Sequence, residues 1–310
     1  MKMPNLFIVG QPKSGSTALH QFLGQHPEIY MSNIKAPHFF CKDFHRESDE
    51  YHRMKLYFDY RDKESYLQLF AKANSEKILG ESSDHYLYSE VAAEEIFQFN
   101  PEAKIIIMLR EPVSFLGSLH NHFVKVTNEV EEDFTKALAL EEYRIKGECI
   151  SPRIMCPSWA YYSQRITYYE QVKRYYKVFD PDQIKIIIYE EYRKNNARIY
   201  REILEFLGVD PEFTPQYDRM NVSKEVRFKQ LNHLVNNQII KNTTKTLFSQ
   251  EFNDWVREEI VARFLWKEVT KPPAPIEIKQ ELMQKFKPEV LKISDLIGVN
   301  LEKQWGYDRI

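Results

Sequence analysis

An unbroken apolar run near the N-terminus leads directly into a loop of small residues and then into an amphipathic segment. Residues 6–10 read Leu-Phe-Ile-Val-Gly, which predicts a buried strand. Residues 11–17 follow as a tight loop, and the apolar spacing of residues 18–23 predicts a helix that ends at Gly24. A loop between a strand and a helix N-terminus presents backbone N–H groups and the positive end of the helix dipole to an anion. The sequence therefore predicts a phosphate-binding cradle in an α/β fold.

The position of Lys13 argues against the usual nucleoside triphosphate form of this cradle. The Walker signature places its lysine directly after the second glycine of the loop. Here Ser16 follows Gly15, and the lysine lies three residues before Ser16. A P-loop kinase is the rival enzyme class, and it would need that lysine and usually a magnesium-binding Asp at a strand end, where this chain has Arg110. We therefore expect a donor other than a magnesium-bound triphosphate.

Further strands and helices alternate along the chain. Residues 104–109 and 184–189 are short, β-branched and almost wholly apolar, which is typical of strands covered on both faces, and residues 77–80 are a weaker candidate strand. Helical patterns lie over residues 90–99, 115–124, 159–178 and 197–207. This alternation predicts a central parallel sheet flanked by helices, with its site at the carboxyl ends of the strands.

The rest of the chain is less regular. Residues 61–74 fit a polar connection or a short helix, and residues 210–227 resemble a loop. Residues 228–310 are mainly helical in pattern, with an interruption at the proline-rich residues 271–275. We expect residues 1–310 to form a single domain, with a separate helical domain after about residue 223 as the alternative.

Composition limits the class of protein. The chain has 310 residues, of which 43% are hydrophobic, and its net charge of −2 gives no electrostatic attraction to nucleic acid or to a membrane. Its three cysteines are widely spaced and indicate neither a disulfide framework nor a zinc site. No apolar run approaches the ~20 residues of a membrane span, and the first strand begins at once. We expect a cytoplasmic protein, and the sequence leaves its oligomeric state open.

A second candidate anion site follows the strand at residues 104–109. Arg110 ends that strand, and Pro112 suits the first position of a helix. Ser114, Ser118 and His122 are spaced four residues apart, so they form one polar stripe on this helix. Because arginine offers a bidentate fork and serine a neutral hydroxyl, Arg110 and Ser118 could clamp a second phosphate.

These two elements together resemble the sulfotransferases that use 3′-phosphoadenosine 5′-phosphosulfate (PAPS), in their bacterial and carbohydrate-type branch. Residues 12–17, Pro-Lys-Ser-Gly-Ser-Thr, resemble the family's 5′-phosphosulfate loop, and Arg110-x-Pro112 with Ser118 resembles its 3′-phosphate motif. Weaker similarities lie at His26-Pro27, residues 37–40 (Pro-His-Phe-Phe), 80–86, 189–191 (Tyr-Glu-Glu) and 206–208, and at a Leu-x-x-Trp that ends at Trp305.

The resemblance implies a P-loop-NTPase-like sulfotransferase fold, transfer of a sulfonate group from PAPS to a hydroxyl or amino group, release of the product PAP, and no metal. It also implies that Lys13 lies at the oxygen that bridges phosphate and sulfur. The donor-binding residues that it implies are Pro12, Lys13, Ser14, Gly15, Ser16, Thr17, Arg110, Ser118, Tyr189 and Arg227, with Lys224 as the alternative to Arg227.

The chain departs from the family at its expected general base. Carbohydrate-type members carry a catalytic glutamate two residues before the histidine that matches His38, and this chain has Ala36 there. The base is therefore expected at His122, at His38 or at Glu81, in that order, unless the acceptor needs little activation, and the catalytic candidates are Lys13, His122 and His38. The departure at Ala36 also keeps a non-catalytic PAP-binding protein as an alternative function.

The sequence constrains the acceptor less than the donor. Aromatic groups around Tyr57, Trp159 and Tyr168 fit either an acceptor pocket or a core. There is no long basic stripe of the kind that a polyanionic glycan would need. We therefore expect a small-molecule acceptor of the natural-product type and a stand-alone tailoring enzyme.

Overall fold

Five parallel strands form the central sheet of the part of the chain that the structure describes. The computed structural model describes residues 3–217, 224–226, 266–268 and 276–310. The strands are β1 Leu6–Gly10, β2 Ile29–Met31, β3 Ile78–Ser82, β4 Lys104–Leu109, β5 Ile184–Ile188, β6 Lys224–Val226 and β7 Trp266–Glu268. The strand order in the central sheet is β2-β3-β1-β4-β5, and a separate antiparallel pair joins β6 to β7.

The strands are apolar throughout because helices cover both faces of the sheet. In β1, Phe7 and Val9 belong to one hydrophobic cluster, whereas Leu6 and Ile8 belong to the cluster on the other face. Strand β4 alternates in the same way between the two clusters. Successive side chains of a strand point to opposite faces, so a strand buried on both faces reads as a continuous apolar run.

Helices pack on both faces. The helices are α1 Ser16–Leu23, α2 Lys42–His52, α3 Lys63–Gln68, α4 Ala92–Phe99, α5 Pro112–Lys125, α6 Phe134–Ala139, α7 Glu141–Ile145, α8 Tyr168–Tyr176, α9 Tyr189–Lys194, α10 Asn196–Leu207, α11 Ile276–Ile297 and α12 Leu301–Gln304. The first cluster, which contains Phe7 and Val9, includes side chains from α4, α5, α8 and α11. The second cluster, which contains Leu6 and Ile8, includes side chains from α1 and α10.

The parallel sheet flanked by helices confirms the predicted fold class, but the helix predicted over residues 159–178 is only partly correct. Two 3₁₀ turns, Pro157–Ala160 and Ser163–Ile166, precede α8. The side chains of residues 159, 162, 165 and 168 are each at most 2% exposed. This spacing of three matches the period of a 3₁₀ helix, so the turns direct all four side chains into the core.

Several shorter elements differ from the sequence prediction or extend it. Strand β2 and helix α2 were not predicted, and α3 confirms the short helix within residues 61–74. Tyr189 begins α9 and does not extend β5. Strand β6 lies in the segment predicted as a loop.

The C-terminal helix returns to the sheet domain. Helix α11 packs against α5 and α8, and its Val290 and Ile293 are fully buried in the first cluster. The predicted interruption at residues 271–275 lies outside the described residues. Within the part of the chain that the structure describes, no helix combines the length and apolar character of a membrane span.

Candidate functional site

The loop after β1 presents unpaired backbone donors at the start of α1. Gly15 has a φ of 92°, in the left-handed region that favours glycine, and no side chain from the described residues caps the helix. A Cβ atom at Gly15 would lie 3.3 Å from the side chains of Met108 and Tyr192. Because the first N–H groups of a helix have no intrahelical acceptor, those of Ser16 and Thr17 are available to an anion. The loop residues Pro12 and Ser14 are buried, and they shape the cradle from inside.

Arg110 joins this loop to the end of β4. Its Nη1 donates to the carbonyl oxygen of Lys13 at 2.7 Å, and its guanidinium lies 4.7 Å from the ring centre of Tyr189. The Tyr168 hydroxyl donates to the Arg110 carbonyl oxygen at 3.0 Å. The Nε of Arg110 is buried and has no hydrogen-bond partner among the described residues. The two predicted anion sites are therefore adjacent, and guanidinium donors of Arg110, the Nε among them, remain for a ligand.

Two acidic residues hold the C-terminal segment against this part of the sheet. The Glu111 carboxylate caps α5 by accepting from the backbone N–H groups of residues 113–114, and it also accepts from the Tyr307 hydroxyl at 2.8 Å. The Glu190 carboxylate accepts from the backbone N–H of Glu111 at 3.1 Å and from the Trp305 indole at 2.9 Å. These bonds fix the positions of Arg110 and of the start of α5.

Lys13 is a half-buried cation at the mouth of the cradle. Burial lowers the pKa of its ammonium group, and the charges of Arg110 and Lys35 lower it further, whereas Asp84 raises it. The Asp84 carboxylate acts on the Lys13 ammonium as a charge, and among the residues that the structure describes no hydrogen bond or ion pair of this ammonium is found. It is therefore a desolvated positive charge available to an anionic ligand.

Asp84 lies beside Lys13, just past the end of β3. Its carboxylate is 3.5 Å from the Lys35 ammonium and 3.8 Å from Nε2 of His38, and its side chain is 20% exposed. Burial acts to raise the pKa of Asp84, but Lys35, His38 and His85 hold it well below its usual value. The carboxylate is therefore ionised at neutral pH.

His122 faces the same charges from α5. Burial lowers its pKa to about 3, the charge of Lys13 contributes to the lowering, and Asp84 opposes it. Its imidazole is consequently neutral at neutral pH. Ser118 lies one helical turn earlier and is half-buried, so both side chains share the face of α5 that is turned toward the loop.

His38 is held rigidly in the same cluster. It is 6% exposed, its backbone N–H donates to the Ser83 hydroxyl at 3.0 Å, and its carbonyl oxygen accepts from Nε2 of His45 at 2.8 Å. Its own Nε2 is buried without a hydrogen-bond partner in the described part of the chain. The ring therefore presents an unpaired nitrogen toward Asp84.

Glu81 lies away from this cluster, inside the core. It is 0% exposed and accepts from the hydroxyl groups of Tyr66 at 3.1 Å, Tyr86 at 2.7 Å and Ser83 at 2.7 Å. Burial raises its pKa to about 7 despite those three bonds. Glu81 therefore supports Ser83, and through it the backbone of His38, and it does not face an acceptor.

A polar cleft of about 340 Å³ adjoins the loop on the β2 side. Burial and the charge of Lys35 lower the pKa of His20, in the cleft wall, to about 4, so the imidazole is neutral at neutral pH. The cleft is lined by Thr17, His20, Gln21, Gly24, Gln25, Met31, Ser32, Asn33 and Lys35. It contains no aromatic platform and one charged side chain.

The structure also corrects the sequence analysis at this site. Phe58, Trp159 and Tyr168 are 7%, 2% and 0% exposed and belong to the core, which is one of the two interpretations that the sequence allowed, whereas Tyr57 is half-buried. Arg227 lies outside the described residues. Asp84 and Lys35 were missed, although each follows the carboxyl end of a parallel strand, where sites are expected.

Fold and site define a class of protein. A parallel α/β sheet carries a strand–loop–helix anion cradle of the P-loop type, and the adjacent strand adds a second cationic site. Lysine, aspartate and two histidines meet beside the cradle. Such an arrangement suits transfer of an anionic group between two bound molecules.

Comparison with known proteins identifies the family. The Sulfotransferase domain family model matches residues 3–267, and the chain belongs to that family. A sulfotransferase from Alicyclobacillus acidocaldarius has a similar structure, with a TM-score of 0.70, 27% identity, and coverage of 98% of this chain and 99% of that one. The kinase interpretation is therefore wrong.

Two curated relatives are larger proteins. Human carbohydrate sulfotransferase 15 is 27% identical over 255 residues, which cover 67% of this chain and 44% of the relative. The mouse bifunctional heparan sulfate N-deacetylase/N-sulfotransferase 4 is 28% identical over 221 residues, which cover 68% of this chain and 23% of the relative. The match thus spans less than half the length of either relative.

Proposed function

We propose that this sulfotransferase transfers a sulfonate group from PAPS to a hydroxyl or amino group of a small-molecule acceptor and releases PAP. The contact between Arg110 and the Lys13 carbonyl oxygen carries the proposal. It joins a cradle suited to a 5′-phosphosulfate to a guanidinium suited to a 3′-phosphate, and PAPS is the donor that presents both groups.

The residues present fit this donor. The backbone N–H groups of residues 14–17 and the Thr17 hydroxyl are proposed to hold the 5′-phosphate, and the buried, unpartnered Nε of Arg110 supports binding of the 3′-phosphate together with Ser118. Tyr189 stacks on Arg110 and orients it, and an adenine contact remains a prediction. A role for Arg227 also remains a prediction.

PAPS supplies a sulfonate on an oxygen that leaves with negative charge. In such transfers catalysis consists mainly of positioning and charge stabilisation. Lys13 is proposed to stabilise the leaving oxygen, because its ammonium is desolvated and unpaired among the described residues. His122 and His38 are proposed to contact the reacting acceptor group from the opposite side, since both lie beside Asp84.

A small, hydroxylated acceptor of the natural-product type is proposed because the sequence has no long basic stripe of the kind that a polyanionic glycan would need. A carbohydrate is the second candidate, because both curated relatives named above act on carbohydrates according to their names.

Two further expectations accompany this proposal. Residues 1–310 are proposed to act as a single domain, supported by the bonds from Trp305 and Tyr307 to the residues beside Arg110. A cytoplasmic location is proposed from the sequence alone. Neither is required for the donor assignment.

A screen with ³⁵S-labelled PAPS tests this function. The purified chain is incubated with natural-product alcohols and amines, hydroxyacyl thioesters, amino sugars and glycosaminoglycan oligosaccharides, and labelled products are separated. We expect transfer to one of these classes, and none with the Lys13→Ala variant. Binding of PAP without transfer to any class would instead support the non-catalytic PAP-binding alternative.

A further inference from the structure

Ala36 stands where carbohydrate-type family members carry a glutamate, and it lies next to the end of β3, which is followed by the carboxylate of Asp84. The backbone N–H of Ala36 donates to the Ser82 carbonyl oxygen at 2.8 Å, so the chain after β2 runs beside the end of β3. Asp84 follows Ser82 by two residues. Ala36 offers no proton acceptor and is half-buried, whereas Asp84 brings a partly exposed carboxylate to the same edge of the sheet.

Asp84 also lies close to the anion cradle. A Cβ atom at Gly10, the last residue of β1, would be 2.7 Å from the Asp84 carbonyl oxygen, so glycine is what permits this approach. The charge of Asp84 acts on Lys13 in the cradle and on His122 in α5. The carboxylate therefore lies between the proposed donor site and the elements proposed to contact the acceptor.

The charged and titratable groups around Asp84 come from several elements, including Arg165 of the 3₁₀ turn Ser163–Ile166, which interacts with the Asp84 charge and lies 3.2 Å from Nδ1 of His85. Lys35 and His38 follow β2, His85 is its neighbour in sequence, Lys13 lies in the cradle loop and His122 lies in α5. Lys35 faces Oδ2, and Nε2 of His38 approaches Oδ1 at 3.8 Å without another partner in the described residues. This environment keeps the carboxylate ionised and oriented.

We infer that Asp84 is the general base of this enzyme and takes the place of the glutamate that Ala36 lacks. The inference rests on the proposed function. The acceptor oxygen or nitrogen forms a bond to sulfur as the bond from sulfur to the bridging phosphate oxygen breaks. The electron pair of that bond leaves with PAP, and the acceptor's proton passes to an Asp84 carboxylate oxygen and then to water.

A carboxylate with a low pKa can perform this step. An alcohol oxygen or amine nitrogen becomes much more acidic as its bond to sulfur forms, so even a weak base accepts its proton late in the transfer. His38 and His122 then serve as hydrogen-bond partners of the reacting groups, and Lys35 and His38 position Asp84.

Substitution of Asp84 tests the inference with two readouts. Asp84→Asn is compared with wild type by PAP calorimetry and by ³⁵S transfer to whichever panel acceptor wild type sulfates fastest. We expect kcat to fall about 100-fold or more, the range of general base catalysis. We expect PAP to bind equally or a few-fold more tightly, because a negative charge near the anion site is removed.

Two further variants complete the test. Asp49→Asn is the matched control, since Asp49 is 27% exposed and pairs with Arg61 outside the site, and it should keep wild-type turnover. In the double variant Ala36→Glu/Asp84→Ala, the restored glutamate should recover at least about tenfold of the turnover that Asp84→Ala loses.

The outcomes separate this inference from the proposed function. An Asp84→Asn variant that retains more than about a tenth of wild-type kcat overturns the role of Asp84 alone. So does an Asp84→Asn variant that loses PAP binding, because a base on the acceptor side is not needed to hold the nucleotide. Absence of rescue by Ala36→Glu also counts against the assignment. A wild-type chain that binds no PAP or transfers no sulfonate overturns the proposed function itself.

Discussion

Glu81→Gln is expected to remove a pH-dependent cost to folding. The wild-type carboxyl is fully buried, and burial raises its pKa from an ordinary 4.5 to about 7. Each pKa unit between the unfolded and folded states corresponds to about 1.4 kcal/mol. The difference between 4.5 and about 7 therefore corresponds to about 3 kcal/mol.

The direction of this stability difference follows from which protonation state of Glu81 the folded protein prefers. A raised folded pKa means that the fold favours the protonated carboxyl, so the contribution of Glu81 to wild-type stability is most favourable below about pH 4.5 and declines as the pH rises to about 7. Glutamine can still accept from the Tyr66 and Tyr86 hydroxyl groups and does not ionise. The variant should thus gain about 3 kcal/mol relative to wild type between about pH 4.5 and 8.

Urea denaturation at a series of pH values measures this difference. Subtracting the wild-type free energy of unfolding from that of Glu81→Gln removes the contribution of the other titrating groups. Glu94→Gln is the control, because Glu94 is an exposed residue of α4 and the substitution is chemically the same. Parallel stability curves for wild type and Glu81→Gln over this range would refute the reasoning.

Three further predictions follow from the site. Lys13→Ala should lower kcat about 100-fold or more in single-turnover transfer while calorimetry still detects PAP binding, and retained turnover would contradict its role. His122→Asn should lower kcat/KM about tenfold without moving its pH profile between about pH 5 and 8, because a pKa of about 3 keeps the imidazole neutral there, and a shifted limb would contradict this. Tyr307→Phe should lower the urea unfolding free energy by about 1–2 kcal/mol, because the Glu111 carboxylate loses a donor, whereas the control Tyr30→Phe, at a neutral carbonyl, should cost less, and equal losses would contradict this account.

The central strands were predictable because burial on both faces leaves a plain signal in the sequence. Strands β1 and β4 appear as continuous apolar runs, and both were found with nearly the predicted bounds. Strand β2 has three residues, which is too short for a periodic pattern. Helix α2 buries only Phe44, His45 and Ser48, so its sequence is mostly polar and carries a weak pattern.

Some residues of the candidate site could likewise be predicted from the sequence, and others could not. The cradle loop and Arg110 are local motifs, and their contact through the Lys13 carbonyl agrees with the expectation that neighbouring strands bring them together. The place of Asp84 depends on the two strands beside β3, which are β1 and the unpredicted β2. Its relation to Lys35 and His38 therefore could not be read from spacing along the chain.

The central claim is that the cradle loop and Arg110 form two adjacent anion sites. Binding of a nucleotide that carries a 3′-phosphate tests this claim most directly. Arg110→Gln removes the guanidinium proposed to bind that phosphate. Arg174→Gln is a matched control, because Arg174 also donates to backbone carbonyl oxygens and has a buried, unpartnered Nε among the described residues, but it lies in α8.

Calorimetric titration of wild type and both variants with PAP and with adenosine 5′-phosphate is the decisive measurement. We predict that wild type and Arg174→Gln bind PAP about 100-fold more tightly than adenosine 5′-phosphate, as two charge-assisted hydrogen bonds would give, and that Arg110→Gln loses most of this preference. Equal affinity of wild type for the two nucleotides would contradict the account.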